Sequence, residues 1–267
     1  MSGSTISRRN FATGIASASV LGVPVVRAMS LEPKQRRHRI RHFVMATDDL
    51  AATCQELYTF LDLPPTPPRK GNSPTKQFGF ETSMMKVGNT LLEVVQPITA
   101  QHTLHDWMAA NGGPGGYMVV LQTFDAEALK VRAESERLAL TRDMMFRGQH
   151  MIQFDVKHFG THFEVYQYTP EDNWWGDPVG RNYPDSSSVA DIVACEVKVA
   201  EPEVIAPQVA RLFLGELAGS TVRLENHAIN FTKAEHGQGL KALEFKVLDE
   251  ARRGEVAVIR GLELRLV

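Results

Sequence analysis

The chain has 267 residues, of which 43% are hydrophobic, and a formal net charge of -2. This composition is typical of a globular protein with one or two cores, and it excludes a disordered or fibrous chain. No basic stripe with interleaved aromatic residues occurs, so we expect a small-molecule partner rather than nucleic acid. Cys54 and Cys195 have neither disulfide nor metal-site spacing, and we expect both to be buried thiols.

Residues 1–28 have the features of an export signal. The pair Arg8-Arg9 precedes a moderately apolar segment, and Val26-Arg27-Ala28 offers a small-residue cleavage site. The pattern resembles a twin-arginine signal and predicts a periplasmic protein. If translation starts at Met29 instead, the protein would remain in the cytoplasm. Because no later segment is long and apolar enough to span a bilayer, we expect no membrane partner.

A first module with the order βαβββ is predicted for residues 38–97. Its first strand carries His42, and a helix begins at Asp49 and ends before the prolines that start at Pro64. Two later strands meet at the turn pair Gly88-Asn89. The predicted elements are a strand at 40–46, a helix at 49–61 and strands at 77–86 and 90–96.

A second module of the same order is predicted for residues 98–168. It begins with a bridging segment that holds a short helix at 102–110. Asp125 follows Met118 by seven residues and opens a helix, just as Asp49 follows His42 by seven residues in the first module. The predicted elements are a strand at 117–123, a helix at 125–138 and strands at 140–146, 150–156 and 161–167.

The tetrad Glu-Val-x-Gln ends both modules, as Glu93-Val94-Val95-Gln96 and as Glu164-Val165-Tyr166-Gln167. A repeat with a period of about 70 residues indicates duplicated domains rather than an open stack of short units. An acidic residue between apolar neighbours in a strand is costly to bury without a partner. Strand alternation also permits a solvated outer face for these carboxylates. The duplication favours the inner face, where the two carboxylates would meet.

The composition changes after the second module. Residues 169–190 are rich in Pro, Gly, Ser and aromatic residues and predict a linker or a lid loop. The pair Trp174-Trp175 would cover a pocket mouth or pack against the core. Residues 191–267 begin as a third βα unit, with Ala194 in the position of His42 and Asn230 in that of Glu93. We expect a partial module there.

Three segments resemble the vicinal oxygen chelate superfamily, which includes glyoxalase I, methylmalonyl-CoA epimerase, extradiol ring-cleaving dioxygenases and bleomycin-resistance proteins. These segments are His42 to Leu50, Gly88 to Glu93 and His158 to Glu164. The segment from Gly88 to Gly116 is most similar to the epimerase branch. The resemblance implies an α+β fold in which paired βαβββ modules form a curled-sheet cup, with an additional partial βα module at the C-terminus.

In that superfamily the first and last strands of each module supply metal ligands at the centre of the cup. Matched residue by residue, His42, Glu93 and Glu164 take three of the four positions, and Met118 stands where a histidine is usual. A thioether is a poor ligand for the ions that carboxylates select. The resemblance therefore implies an incomplete site for Mn²⁺, Fe²⁺, Zn²⁺ or Co²⁺. His162 lies on the same strand face as Glu164 and would be a replacement ligand or a partner of that carboxylate.

The resemblance implies a metal-assisted isomerase, epimerase or lyase that acts on a small carbonyl or hydroxy compound. The metal would stabilise an enolate while a glutamate removes a proton next to a carbonyl. Without a metal, Glu93, Glu164 and His162 would provide the acid and base chemistry.

Two alternatives remain open. One is a protein of the same fold that sequesters a ligand without turnover, and the other is an extradiol-type ring-cleaving dioxygenase. The missing second-module histidine argues against the dioxygenase, and a homodimer is compatible with each function. Taken alone, His42 would be a hydrogen-bonded core histidine. The other histidines are predicted to be surface or loop residues, namely His102, His105, His158, His227 and His236.

Overall fold

A computed structural model of the protein describes residues 36–64, 75–171 and 185–267. The predicted export signal, the prolines that follow Pro64 and the pair Trp174-Trp175 lie outside these ranges. In the described part of the chain, no helix has the length and apolar character needed to cross a membrane.

The first and second modules form a pair. In sequence order their elements are β1 (Arg39–Ala46), α1 (Leu50–Leu61), β2 (Phe80–Val87), β3 (Thr90–Pro97), α2 (Thr103–Asn111), β4 (Gly115–Thr123), α3 (Ala126–Ser135), β5 (Leu140–Phe146), β6 (Gln149–Phe154) and β7 (His162–Gln167). The first strand of each module pairs in parallel with the last, β1 with β3 and β4 with β7. The two modules join where β1 runs antiparallel to β4. The duplication seen in the sequence is thus a structural repeat.

The C-terminal region forms a second pair of units. Its elements are β8 (Val189–Val199), α4 (Pro202–Phe213), β9 (Glu216–Ala218), β10 (Thr221–Arg223), β11 (Ala228–Lys233), β12 (Gly239–Val247), β13 (Val256–Ile259) and β14 (Leu262–Leu266). Strands β8 and β12 pair antiparallel, as β1 and β4 do. A complete βαβββ unit, β8 to β11, is followed by a unit in which the short 3-10 helix Glu250–Arg252 takes the place of the α-helix.

All strands within the described ranges belong to one mixed sheet, and the two pairs meet where Leu240 of β12 pairs with Gly116 of β4. A Cβ on Gly116 would lie 2.4 Å from the carbonyl oxygen of Leu240, so this contact requires a glycine. The predicted α+β class with curled βαβββ modules is confirmed.

Strand alternation separates two apolar regions. In β1, Phe43 and Met45 face the larger core beneath the helices, whereas Val44 and Ala46 belong to a second cluster on the concave inner side of the first pair. We call this concave side the cup. The cysteines are confirmed as buried free thiols, with Cys54 8% exposed and Cys195 fully buried in the larger core.

Candidate functional site

The two tetrad glutamates occupy equivalent positions in the first pair. Glu93 on β3 pairs with Val44 of β1, and Glu164 on β7 pairs with Val120 of β4. Each valine lies two residues after a position proposed from the sequence, His42 in the first module and Met118 in the second. By this register, His42 in the first module is equivalent to Met118 in the second, and Glu93 is equivalent to Glu164.

A break in the register between β1 and β4 precedes each of these positions. One lies between Ile40 and His42 and the other between Gly116 and Met118, so each leaves one extra residue, Arg41 or Tyr117. A β-bulge of this kind changes the direction of a side chain relative to simple alternation. Arg41 donates from Nε to Oε1 of Gln122 at 2.6 Å, and Tyr117 packs against the cup cluster. Sequence reasoning missed both residues, because a bulge leaves no pattern in a strand of this composition.

His42 and Glu93 are in contact. His42 Nε2 lies 3.3 Å from Glu93 Oε2, and the side chains are 2% and 12% exposed. Thr82 donates a hydrogen bond to the other carboxylate oxygen, Oε1, at 2.6 Å. The second imidazole nitrogen, Nδ1 of His42, is buried and has no partner in the described part of the chain.

Glu164 lies across the cup from this pair. Gln153 Nε2 donates to Glu164 Oε2 at 3.0 Å, and Tyr166 forms a second hydrogen bond with the carboxylate. Although some of its surface stays accessible, enclosure by the cup disfavours the charged form and raises the pKa of Glu164. The Tyr166 hydrogen bond and the nearby His42 lower this pKa, and the charge of Glu93 raises it further.

His162 does not join these three residues. Its ring packs against Tyr117 at 4.7 Å between centroids, and burial lowers the pKa of its imidazole. No hydrogen bond or ion pair within the described ranges links it to Glu164. The contacts therefore support neither role expected for His162, the replacement metal ligand or the partner of the carboxylate.

The donor set matches a divalent metal site only in part. The 3.3 Å between His42 Nε2 and Glu93 Oε2 is close to the separation of two ligands that each lie about 2.0–2.2 Å from one ion. Glu164, however, is engaged by Gln153 and Tyr166. Among the described residues, no three His, Cys, Asp or Glu side chains are grouped closely enough to hold an ion. As arranged, the residues do not form a complete metal site.

The cup around these groups is mainly apolar. Short helix α2 contributes Leu104 and Met108, and Trp107 packs edge-on against Tyr117 with ring centroids 5.0 Å apart. The buried members of this lining are Val44, Ala46, Val95, Leu104, Met108, Met118, Val120, Met151, Tyr166 and Tyr168. Electrostatic interactions between polar groups are strong in such a weakly screening environment.

The second pair of units carries different residues at the equivalent positions. The pairing of Glu196 with Asn230 places Ala194 and Asn230 where the first module has His42 and Glu93. In the fourth unit the same positions hold Ala242 and Arg265, because Glu244 pairs with Arg265. Arg265 Nη1 lies 2.7 Å from Glu196 Oε2 and 3.7 Å from Glu244 Oε1. A guanidinium and carboxylates therefore occupy the centre of this second concave face.

Two further histidines have contacts close to them in the sequence. His150 bonds to Asp143 through Nε2 at 2.6 Å, and His102 accepts a hydrogen bond from the N–H of Leu104 at the start of α2. His227 lies in the loop between β10 and β11, as one of the two expected settings required, but it is buried. It is 4% exposed, and its Nε2 lies 2.8 Å from Oγ1 of Thr90, so it ties β3 to the second pair.

No protein-family model matches the chain, and no curated protein sequence does. Solved structures do share its fold. A hypothetical protein from Staphylococcus aureus aligns with a TM-score of 0.64 and 13% identity, over 86% of this chain and 99% of that protein. A mutant of 4-hydroxymandelate synthase from Streptomyces coelicolor aligns with a TM-score of 0.57 and 12% identity, over 80% of this chain and 72% of the synthase chain.

Methylmalonyl-CoA epimerase from Streptomyces coelicolor, in complex with 2-nitronate-propionyl-CoA, aligns with a TM-score of 0.42 and 18% identity, over 49% of this chain and 97% of the epimerase. At such identities a structural likeness concerns the fold alone. The chain therefore shares the fold of the Staphylococcus aureus protein and of the synthase.

Proposed function

We propose that the protein is an isomerase, epimerase or lyase that moves a proton next to the carbonyl group of a small oxygenated compound. The observation that carries this proposal is the placement of Glu164. It is a carboxyl group with a raised pKa, it lies in an apolar cup, and it faces the His42–Glu93 pair. An acid or base works best when its pKa is near the working pH, and enclosure moves a carboxyl group in that direction.

In the proposed reaction Glu164 acts as the base. Its carboxylate takes the proton from the carbon next to the carbonyl, the electrons of the C–H bond form a carbon–carbon double bond, and the carbonyl oxygen becomes an enolate. Protonated Glu164 then returns the proton to the same carbon or to a neighbouring one. His42 is oriented by Glu93 and is placed to accept a second proton on the opposite side of the substrate.

Glu93 has a supporting role in this scheme. Thr82 fixes one carboxylate oxygen and His42 contacts the other, so the side chain is held in one orientation. A carboxylate that accepts a hydrogen bond from an imidazole sets which nitrogen carries the proton. The contact of Nε2 with Glu93 favours a proton on that nitrogen, which leaves the buried Nδ1 of His42 as an acceptor.

Deuterium exchange provides the test. Purified protein would be incubated in D₂O with a panel of small carbonyl compounds, such as pyruvate, acetoacetate and dihydroxyacetone, and loss of the carbon-bound proton signal would be followed by NMR. We expect exchange with the wild type and loss of exchange with Glu164→Gln. The control Glu235→Gln changes an exposed glutamate outside the cup and should exchange as the wild type does.

The metal content of the protein distinguishes a metal-assisted reaction from acid–base chemistry by the protein alone. About one equivalent of transition metal that is lost with Glu93→Ala, together with exchange that chelators abolish, would support the metal-assisted form. Chelator-resistant exchange would support acid–base chemistry by the protein alone. If no compound exchanges while ligands still bind in the cup, the protein sequesters its ligand rather than converting it.

Export is a further part of the proposal. We propose that residues 1–28 direct the folded protein to the periplasm, on the basis of Arg8-Arg9 and the apolar segment that follows. Fractionation of cells that express the full chain would test it. Replacement of both arginines by lysine should retain the protein in the cytoplasm.

A further inference from the structure

We infer that the hydroxyl of Tyr168 is a catalytic group of the cup that donates a hydrogen bond to the substrate oxygen as this oxygen becomes negative. The inference rests on the proposed function and extends it, because it names the part of the substrate that the cup recognises. That part is an oxygen that turns from carbonyl to enolate.

The hydroxyl of Tyr168 is buried and unused by the protein. The residue is 4% exposed, and its hydroxyl oxygen has no hydrogen-bond partner in the described ranges. A buried polar group without a partner costs free energy, so such groups are rare and call for a specific explanation. A ligand in the cup would supply the missing acceptor.

The position of Tyr168 is fixed by its surroundings. Its ring stacks on that of Tyr166, with centroids 5.4 Å apart and planes inclined by 17°. The next residue, Thr169, is held on both sides by Gln149: its N–H donates to Gln149 Oε1 at 2.7 Å, and Gln149 Nε2 donates to its carbonyl at 3.3 Å. A donor that is held in place before the reaction stabilises a developing charge without reorganisation.

The charges around Tyr168 suit a donor rather than a base. Burial raises the pKa of its phenol far above the physiological range, and the nearby carboxylates of Glu164 and Glu93 raise it further. The proton therefore stays on the hydroxyl. The guanidinium of Arg41, held by Gln122, acts in the opposite direction on Tyr168 and places a positive charge near the same part of the cup.

The two stacked tyrosines have different partners. Tyr166 is hydrogen-bonded to the carboxylate of Glu164, whereas the buried Tyr168 hydroxyl has no partner among the described residues. When the substrate proton passes to Glu164, negative charge collects on the carbonyl oxygen, and a hydrogen bond from Tyr168 becomes stronger at that moment. Removal of one such preorganised donor reduces turnover by about 10²- to 10³-fold in enzymes of known mechanism.

Binding of a phenolate tests this role without turnover. The experiment uses the full protein with Glu164→Gln, which removes the base and its charge, and p-nitrophenol as a planar mimic of an enolate. Absorbance distinguishes the bound phenolate from the neutral phenol. We expect the Glu164→Gln protein to bind the phenolate form, and we expect additional Tyr168→Phe to weaken that binding by about tenfold or more.

Tyr166→Phe in the same background is the matched control, because it removes an equivalent hydroxyl that already has a protein partner. It should weaken phenolate binding much less than Tyr168→Phe does. Tyr168→Phe should also leave the melting temperature unchanged or raise it, since no protein group loses a hydrogen bond. Absence of phenolate binding, equal affinity with and without the Tyr168 hydroxyl, or a lowered melting temperature for Tyr168→Phe would overturn the inference.

These experiments distinguish a failure of the proposed proton-transfer function from a failure of the role inferred for Tyr168. If deuterium exchange is absent but phenolate binding depends on Tyr168, the proton-transfer function is wrong and the oxyanion site stands. If exchange depends on Glu164 and phenolate binding does not depend on Tyr168, the proton-transfer function stands and the role of Tyr168 is wrong.

Discussion

Gln96 and Gln167 make the same hydrogen bond in the two modules of the first pair. Oε1 of Gln96 accepts from the backbone N–H of Leu50 at 2.8 Å, and Oε1 of Gln167 accepts from that of Ala126 at 2.7 Å. Leu50 and Ala126 are the first residues of α1 and α3, where the N–H groups have no partner within the helix. The repeated tetrad therefore combines a glutamate that faces the cup with a glutamine that ties the last strand to the start of the helix.

Loss of either glutamine carboxamide should destabilise the fold. Gln96→Met and Gln167→Met keep the approximate volume of the side chain and remove the acceptor of the helix N–H. We expect each to lower the free energy of unfolding by about 1 kcal/mol, which is the usual cost of losing a helix cap. Urea unfolding measures the change. The control Gln55→Met alters an exposed glutamine of α1 and should have little effect; equal stability of all three variants would contradict the role of the caps.

Much of the first pair could be predicted from the sequence. Asp49 and Asp125 cap their helices as expected, each accepting a hydrogen bond from the N–H three residues later. The equivalence of Glu93 and Glu164 also followed from the repeat, because matching Glu-Val-x-Gln tetrads at the ends of similar segments occupy equivalent registers. Local signals of this kind act within one helix start or one strand, so they survive in a single sequence.

The remaining features depend on contacts between distant segments. The bulges at Arg41 and Tyr117 arise where β1 and β4 pair, and nothing within either strand marks them. The fourth unit leaves no signal in the sequence, because Ala242 and Arg265 share no residue type with the equivalent positions of the first pair. The side-chain partners of His162 depend on how Tyr117 packs, which alternation along one strand does not reveal.

Substitution of Met118 by histidine should create a metal site. Met118 occupies the position equivalent to His42, and it lies in the cup lining on the strand next to the one that carries His42. An imidazole there would add a nitrogen donor to the His42–Glu93 contact, and such donor sets bind Zn²⁺ and Co²⁺. We expect Met118→His to bind Co²⁺ more tightly than the wild type, with the visible absorption of a coordinated ion.

The volume-conserving substitution Met118→Leu is the control for this prediction and should not increase Co²⁺ affinity. Adding Glu93→Ala to Met118→His should remove the gained affinity, because the carboxylate in contact with His42 would be lost. A Co²⁺ affinity of Met118→His that is insensitive to Glu93→Ala would place the ion elsewhere.

His38 should make the fold sensitive to acid. It is 2% exposed, with Nδ1 2.9 Å from the carbonyl oxygen of Phe213 and Nε2 2.9 Å from Oγ1 of Thr123. Burial, aided by the charge of Arg132, lowers its pKa from 6.5 to about 4. Because the folded-state pKa lies below the unfolded-state value, the stabilising contribution of neutral His38 is complete above about pH 6.5 and is lost as the pH falls towards 4.

The loss over this pH window should approach about 3 kcal/mol, at about 1.4 kcal/mol for each unit of pKa difference. Urea unfolding across the window measures it. His38→Gln should flatten the pH dependence, since an amide can still donate to Phe213 and does not titrate. His236→Gln, which changes an exposed histidine, should keep the wild-type slope, and an unchanged slope in His38→Gln would show that other groups cause the acid sensitivity.

The positive charge of Arg265 should stabilise the second pair of units. Its guanidinium contacts Glu196 and Glu263 and lies near Glu244, and Glu196 also accepts a hydrogen bond from Thr232 at 2.9 Å. Burial raises the pKa of the Glu196 carboxyl, but the hydrogen bonds from Arg265 and Thr232 outweigh it and lower the pKa overall. Removal of the guanidinium would therefore leave neighbouring carboxylates to repel one another.

We expect Arg265→Met to lower the free energy of unfolding by about 1 to 2 kcal/mol, because the arginine is partly exposed and solvent screens part of its interaction. Millimolar Mg²⁺ or a second substitution, Glu244→Gln, should restore part of this loss, since each reduces the repulsion among the remaining carboxylates. Arg253→Met is the matched control, because Arg253 forms an exposed pair with Glu250 on the surface of the same region. If neither Mg²⁺ nor Glu244→Gln improves Arg265→Met, the loss comes from packing of the arginine stem and not from its charge.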